Sequence, residues 1–315
     1  MTGTASADQQ RIARATLTYL AEPADPAVCG LLQVLSPAEL VASIRSGSIP
    51  ASVTGVPGGL PAASATLRHC RSQLHSVPAD AGLAGSQQQG ARLICPGDQD
   101  WPVQLEDLGA AQPYALWVRG TAGLRSLCQR AVAIVGSRAA TAYGAHIATQ
   151  IAASLSGQGW TIVSGAAYGI DAAAHHGALV AAGGATVAVL ACGADHAYPR
   201  GHADLLASIA AHGAVISEYP PGQLPQRRRF LARNRLIAAL TAGTVVVEAG
   251  LRSGALNTAR HARELGRPVM AVPGPVTSSA SGGCHQLIRD GQATCITCAD
   301  EVIADVSPAT GRHCS

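Results

Sequence analysis

The stretch RRRFLARNR, residues 227–235, sets five arginines in nine residues with no carboxylate among them, and it holds Phe230, the one phenylalanine of the chain. A planar guanidinium makes forked hydrogen bonds to phosphate oxygens, and an aromatic face accepts a stacked base. On a helix starting near Phe230, Arg229 and Arg233 are i, i+4 neighbours, with Arg228 and Arg235 on nearly the same face. A charge run is ordinarily a solvated face. Here, cations beside a lone ring are the two ingredients of single-strand nucleic-acid binding.

Two further stretches have the makings of an anion seat. In Gly136-Ser137-Arg138, a tight turn, a hydroxyl and a fork precede a helix whose first N–H groups are free, and Thr141 offers a second hydroxyl. Arg252-Ser253-Gly254 repeats the arrangement before another helix. Neither carries the G-x-G-x-x-G of dinucleotide sites or the G-K-[ST] of a P-loop, so no nucleotide cofactor is expected. In SGAAYGIDAAAHHGAL, Ser164-Gly165 form a turn and Gly169 opens a helix that Asp171 is placed to cap, with His175 one turn on and able to bond it. Adjacent His175 and His176 diverge by about 100° on a helix and chelate poorly. Cys295 and Cys298 have a metal-like spacing without a second pair, and Asp195, His196 and His202 match no dedicated site; no metal is expected.

These stretches need a scaffold that brings strand ends together. Short apolar, β-branched runs at 131–136, 161–165, 186–193, 214–218, 244–250 and 268–274 alternate with Ala-rich helical segments. Strands apolar on both faces and separated by helices predict an α/β, doubly wound, mostly parallel Rossmann-like sheet, whose ligands gather at strand carboxyl ends. Glu248 ends the fifth of these runs. Before them, helical spacing over 10–45, with Ser36 as a cap, predicts a small helical domain; a SAM- or helix-hairpin-helix-like form is the expectation for it. Gly, Ser and Pro over 46–89 predict an irregular connection around one short helix near 67–74. The expected division is 1–85, 86–306 and a tail at 307–315.

The 315 residues are 48% hydrophobic and 13% charged, a composition that can bury a core, and the net charge of +3 says little about partners. Every basic side chain other than histidine is arginine. Nine scattered cysteines read as reduced thiols, and a polar N-terminus with no long apolar run predicts a soluble cytoplasmic protein with no membrane partner.

The succession AIVGSRAATAYG, IVSGAAYGIDAAAHHGAL, LACGADHAYPRGHADL, ISEYPPG, FLARNRLIAALT, VVEAGLRSGALNTARHARELGRPVMAVPGP and SGGCHQLIRDGQAT resembles the DNA processing protein A family (DprA/Smf) over about residues 90–303. The resemblance implies a non-catalytic homodimer that binds single-stranded DNA and hands it to RecA in natural transformation. It also implies a DNA-facing pocket of Gly136, Ser137 and Arg138, of Ser164 and Gly165, and of Arg227, Phe230, Arg233, Asn234 and Arg235. Two positions depart from the pattern: Tyr168 replaces an arginine, offering a ring for a phosphate contact, and Leu231 replaces a proline, which would alter the helix start. Many members carry a C-terminal winged helix, and none is expected here. A competing reading is a nucleotide-processing enzyme of the lysine-decarboxylase-like phosphoribohydrolase type, with Glu248 and Arg252 in its site, although the P-G-G-x-G-T turn is absent. A nucleotide-sensing scaffold is a third.

Overall fold

The computed structural model describes residues 6–307 apart from 52, 54, 57 and 89. The tail expected at 307–315 thus falls, from 308 on, outside the described residues, as does Cys314.

Among the described residues four helices, α1 (Ala7–Leu20), α2 (Pro26–Leu32), α3 (Pro37–Ser46) and α4 (Gly59–Ser72), bury Leu17, Leu31, Leu40, Ile44 and Leu67 in a core of their own. Ser36 caps α3 through the Glu39 N–H while Glu39 accepts the Ser36 N–H, a reciprocal cap that fixes the helix start. Helix α4 is longer than the short one expected near 67–74, because Ala-rich 62–66 extends it toward the N-terminus. Short α5 (Leu83–Gln88) leads to the sheet.

The sheet joins β1 (Ala91–Ile94), β2 (Leu116–Arg119), β3 (Ala131–Val135), β4 (Thr161–Ser164), β5 (Thr186–Val189), β6 (Ala214–Ser217), β7 (Thr244–Val246), β8 (Val269–Ala271) and β9 (Thr294–Cys295) in the order β1-β2-β6-β5-β4-β3-β7-β8-β9. Strands β3 to β8 are the six apolar runs, and they pair in parallel with every residue buried. Continuous Val, Ile and Ala suit a sheet covered on both faces by helices. β1 and β2 add an antiparallel edge beyond β6, and β9 a parallel one beyond β8. Trp117 of β2 packs under α1 and its indole N–H donates to Thr18 Oγ1 at 3.2 Å, which ties the first helix to that edge.

The remaining α-helices among the described residues are α6 (Leu124–Cys128), α7 (Ala142–Gly157), α8 (Ile170–Val180), α9 (Ala203–His212), α10 (Arg227–Ala239), α11 (Ala255–Glu264), α12 (Gly282–Arg289) and α13 (Ala299–Val306). From β3 the chain winds outward through β4, β5 and β6, then returns to place β7 and β8 on the other side of β3. The carboxyl ends of β3 and β7 therefore part at a switch point, where a crevice must open. No helix among the described residues is long and apolar enough to cross a membrane.

Candidate nucleic-acid interface

A cleft of about 880 Å³ occupies that switch point. Its walls are the turn after β3 (Gly136, Ser137, Arg138), the start of α10 (Arg227, Phe230, Leu231, Arg233, Asn234), the turn before α11 (Arg252, Ser253, Gly254) and Tyr198 from the loop after β5. Four segments far apart in the chain thus meet around one opening. The turns after β3 and β7 are stitched directly: the Ser137 N–H donates to the Glu248 carbonyl at 2.7 Å. Gly169 keeps a positive φ of 79° and lies flat against the Ser137 carbonyl, a contact that a side chain would block.

Arg138, Arg227 and Arg252 enter no ion pair among the described residues, so their charge is free for a ligand. Arg138 stacks its guanidinium over the Phe230 ring with Cζ 4.7 Å from the centroid, and Tyr198 lies against the same ring at 5.5 Å. The lone phenylalanine is therefore a platform shared by an arginine and a tyrosine, an attraction of about 0.5–1 kcal/mol for the cation at an exposed site. Arg233 forms the floor. It is buried beneath the cleft above Gly165, and its guanidinium donates to the Val189 carbonyl. Burial lowers its pKa to about 10, opposed by Asp171, so it stays charged at neutral pH. Asp171, buried in the same floor, has its carboxyl pKa raised by burial and lowered in turn by Arg233 and the Ala167 N–H. Asn234 does not face a ligand alone: its Nδ2 donates to the Gly254 carbonyl and to Asn257 Oδ1, both at 3.2 Å, bracing the Arg252 turn against α10.

Several residues expected at the interface lie elsewhere. Arg235 points to the opposite side of α10, where Nη1 and Nη2 grip Glu218 at 2.6 and 2.5 Å and Nε donates to the Ala111 carbonyl. At 6% and 4% exposure this pair is internal, and burial, which alone would lower the Arg235 pKa, is more than reversed by Glu218. The arginine run is thus not unbalanced: Glu218 and Glu22 answer three of its members from distant parts of the chain. Ser164 is fully buried with its hydroxyl donated to the Ile134 carbonyl at 2.6 Å. Thr141 caps α7 by accepting the Gly144 N–H and donates its hydroxyl to Glu248 at 2.5 Å, so it has nothing left for a phosphate. Glu248 in turn accepts the Thr141 N–H at 2.9 Å and is 2% exposed. Asp171 is not the cap of α8; Gly169 occupies that position, and Asp171 sits one residue inside the helix. His175 bonds Thr186 Oγ1 at 2.7 Å across the β5 start rather than Asp171, because α8 turns it inward. Tyr168 is exposed beside the cleft and packs edge-on against His202 at 4.6 Å. Leu231 does not break α10, which runs unbroken from Arg227, and it is exposed at the cleft rim. Tyr198 was not anticipated; a tyrosine in a polar loop gives no sign of the ring it will meet.

Cys295 and Cys298 are free and exposed, and among the described residues no three His, Cys, Asp or Glu side chains converge as metal ligands would. The sequence model of the family described as DNA recombination-mediator protein A matches residues 92–307. The chain belongs to that family. A DprA homologue of Mycobacterium tuberculosis strain H37Rv is 46% identical over 299 residues, 92% of this chain and 73% of its own. The X-ray structure of DNA processing protein A from Streptococcus pneumoniae superposes with a TM-score of 0.74 at 31% identity, covering 95% of this chain and 98% of that one. The Helicobacter pylori DNA processing protein A, whose structure is described for its single-stranded DNA binding mode, superposes at 0.61 with 30% identity over 68% of this chain and 94% of its own. Membership in this family makes the chain a DNA-processing protein with a Rossmann-like fold.

Proposed function

We propose that the protein binds single-stranded DNA in the cleft between the β3 and β7 turns and acts, without catalysing a reaction, as a recombination mediator. In this reading it is a cytoplasmic homodimer that shields incoming single strands and loads RecA onto them during natural transformation. Residues 1–85 serve it as a separate helical domain, and no cofactor takes part. The observation that carries the reading is the convergence of Arg138, Arg227, Arg233 and Arg252 around the Phe230 ring at the sheet's switch point. Planar forks hold phosphates, and the ring with its Tyr198 neighbour takes a base by stacking, a contact open to any base. The relative from Helicobacter pylori, described for binding single-stranded DNA, supports it. Glu248, the acid a phosphoribohydrolase reading would need, spends both oxygens on Thr141 and does not line the cleft, which favours binding over hydrolysis.

The test is fluorescence anisotropy with labelled oligothymidylate and with a duplex of equal length at about 50 and 200 mM salt. Tighter binding of the single strand with a steep loss at the higher salt is expected. Equal affinity for the duplex, or indifference to salt, would refute the assignment.

A further inference from the structure

Arg228 and Arg229 adjoin Arg227 in the first turn of α10, yet neither lines the cleft. Both guanidiniums converge instead on one oxygen, Glu22 Oε1, at 3.0 and 2.9 Å. The carboxylate comes from the segment between α1 and α2, on the far side of the sequence. Arg229 is held ready for an anion: Nη1 donates to Gln223 Oε1 and to the Leu224 carbonyl, both at 3.0 Å, and its Cζ lies 4.5 Å from the Tyr219 ring centroid. That leaves Nη2 for the Glu22 carboxylate, in a setting where only 7% of the side chain is exposed. Arg228 is the exposed half of the pair, with 69% of its side chain open to solvent. Two forks closing on a single anionic oxygen is the geometry by which proteins take a phosphate.

The present occupant is anchored by its backbone, not by its carboxylate. The Glu22 carbonyl accepts the Tyr114 hydroxyl at 3.1 Å and the Asp25 N–H at 3.2 Å, so the side chain can turn into solvent while the chain around it stays in place. The Arg228 contact, with 69% and 36% of the two side chains exposed, is worth about 0–1 kcal/mol, whereas Arg229, with 7% exposed, gives up Glu22 only to another anion. A strand already seated in the cleft beside Arg227 presents its next phosphodiesters at high effective concentration, and these compete with one carboxylate.

We propose that Arg228 and Arg229 form a second phosphate seat of the interface, filled in the free protein by the Glu22 carboxylate and taken over by a phosphodiester of the bound strand. The proposal rests on the reading of the cleft as the single-strand site. It extends that site from the cleft across the first turn of α10 to the edge of the N-terminal helices, and it makes Glu22 a built-in competitor of DNA.

The experiment titrates labelled oligothymidylate into the full-length protein and its variants by anisotropy, with thermal melting followed for each variant. Glu22→Gln keeps the size of the side chain and removes its charge; it is expected to bind roughly three- to fivefold more tightly, the equivalent of an exposed ion pair. Arg228→Gln is expected to bind more weakly, with a plot of log K against log salt shallower by about 0.7, the share of one phosphate. In the double variant the gain from Glu22→Gln should shrink. If Glu22→Gln lowers the melting temperature, the Arg228→Gln titration decides alone, since that side chain is exposed. Wild-type affinity and slope in Arg228→Gln, or no tightening in a fully folded Glu22→Gln, would overturn the second seat. Arg252→Ala separates the two readings: weakening there with none in Arg228→Gln removes only the second seat, whereas no change in either removes the cleft as well.

Discussion

Replacing Arg252 by alanine isolates one cleft guanidinium from the fold. The side chain is exposed in the turn between β7 and α11 and makes no ion pair or side-chain hydrogen bond among the described residues, so its loss leaves the native packing untouched. Each phosphate neutralised on a single strand contributes about 0.7 to the slope of log K against log salt, so a fourfold rise from about 50 to 200 mM weakens binding about 2.6-fold per contact. The four arginines that line the cleft, Arg138, Arg227, Arg233 and Arg252, would together give about a 50-fold loss over that range, and three would give about 18-fold. The variant should also bind about tenfold more weakly at the lower salt, the low end for a charge-assisted hydrogen bond at an exposed site. Anisotropy titrations of wild type and Arg252→Ala at several salt concentrations supply both numbers. Two parallel lines, with equal slope and a mere offset, would show that Arg252 touches no phosphate, and coincident lines would remove the turn from the interface altogether.

Phe230→Ala should weaken oligothymidylate binding by about 1–3 kcal/mol through loss of base stacking, and an abasic oligonucleotide of the same length should show no such difference between wild type and variant. Glu218→Ala strands the Arg235 guanidinium in the interior, which costs about 3–5 kcal/mol and lowers the melting temperature on the order of 10 °C; adding Arg235→Met should restore much of it. A melting temperature unmoved by Glu218→Ala would contradict the internal role given to Arg235. Burial, followed by the charges of His176 and Arg233, holds the His175 pKa at about 3 against 6.5 for the ordinary side chain. The unfolded chain then takes up a proton that the folded chain refuses, so this contribution to stability is complete above pH 6.5 and is lost toward pH 3 at about 1.4 kcal/mol per unit. Denaturant titrations between pH 6 and 4 should show a shallower decline for His175→Asn than for wild type.

The six parallel strands were legible because Val, Ile and Ala on both faces leave few alternatives to a doubly covered sheet. The antiparallel edge was not. ARLI and LWVR each carry an arginine and so do not read as continuous apolar runs, and β2 pairs with β6 across nearly a hundred residues of intervening chain. At the interface, the turns Gly136-Ser137-Arg138 and Arg252-Ser253-Gly254 could be read from sequence, since a small residue and an arginine after a strand face the same opening wherever the sheet places them. What escaped were the side chains with distant partners. Arg235 looks like its neighbours until β6 delivers Glu218, and Thr141 looks like a free hydroxyl until β7 delivers Glu248. The i, i+4 rule gave Arg233 its place but could not say that Val189 would hold it in the floor.

The bond from the Ser137 N–H to the Glu248 carbonyl, with Glu248 in turn clasping Thr141, fixes the mouth of the crevice before anything enters it. A receptor already in its final shape loses little freedom on association, so the ordering falls almost wholly on the flexible polymer. A paired duplex would first have to open, at about 1.4 kcal/mol for every stacked step, before its bases reached the ring. On the proposed reading of the cleft, rigidity in the protein thus becomes a filter for strands that arrive already separated.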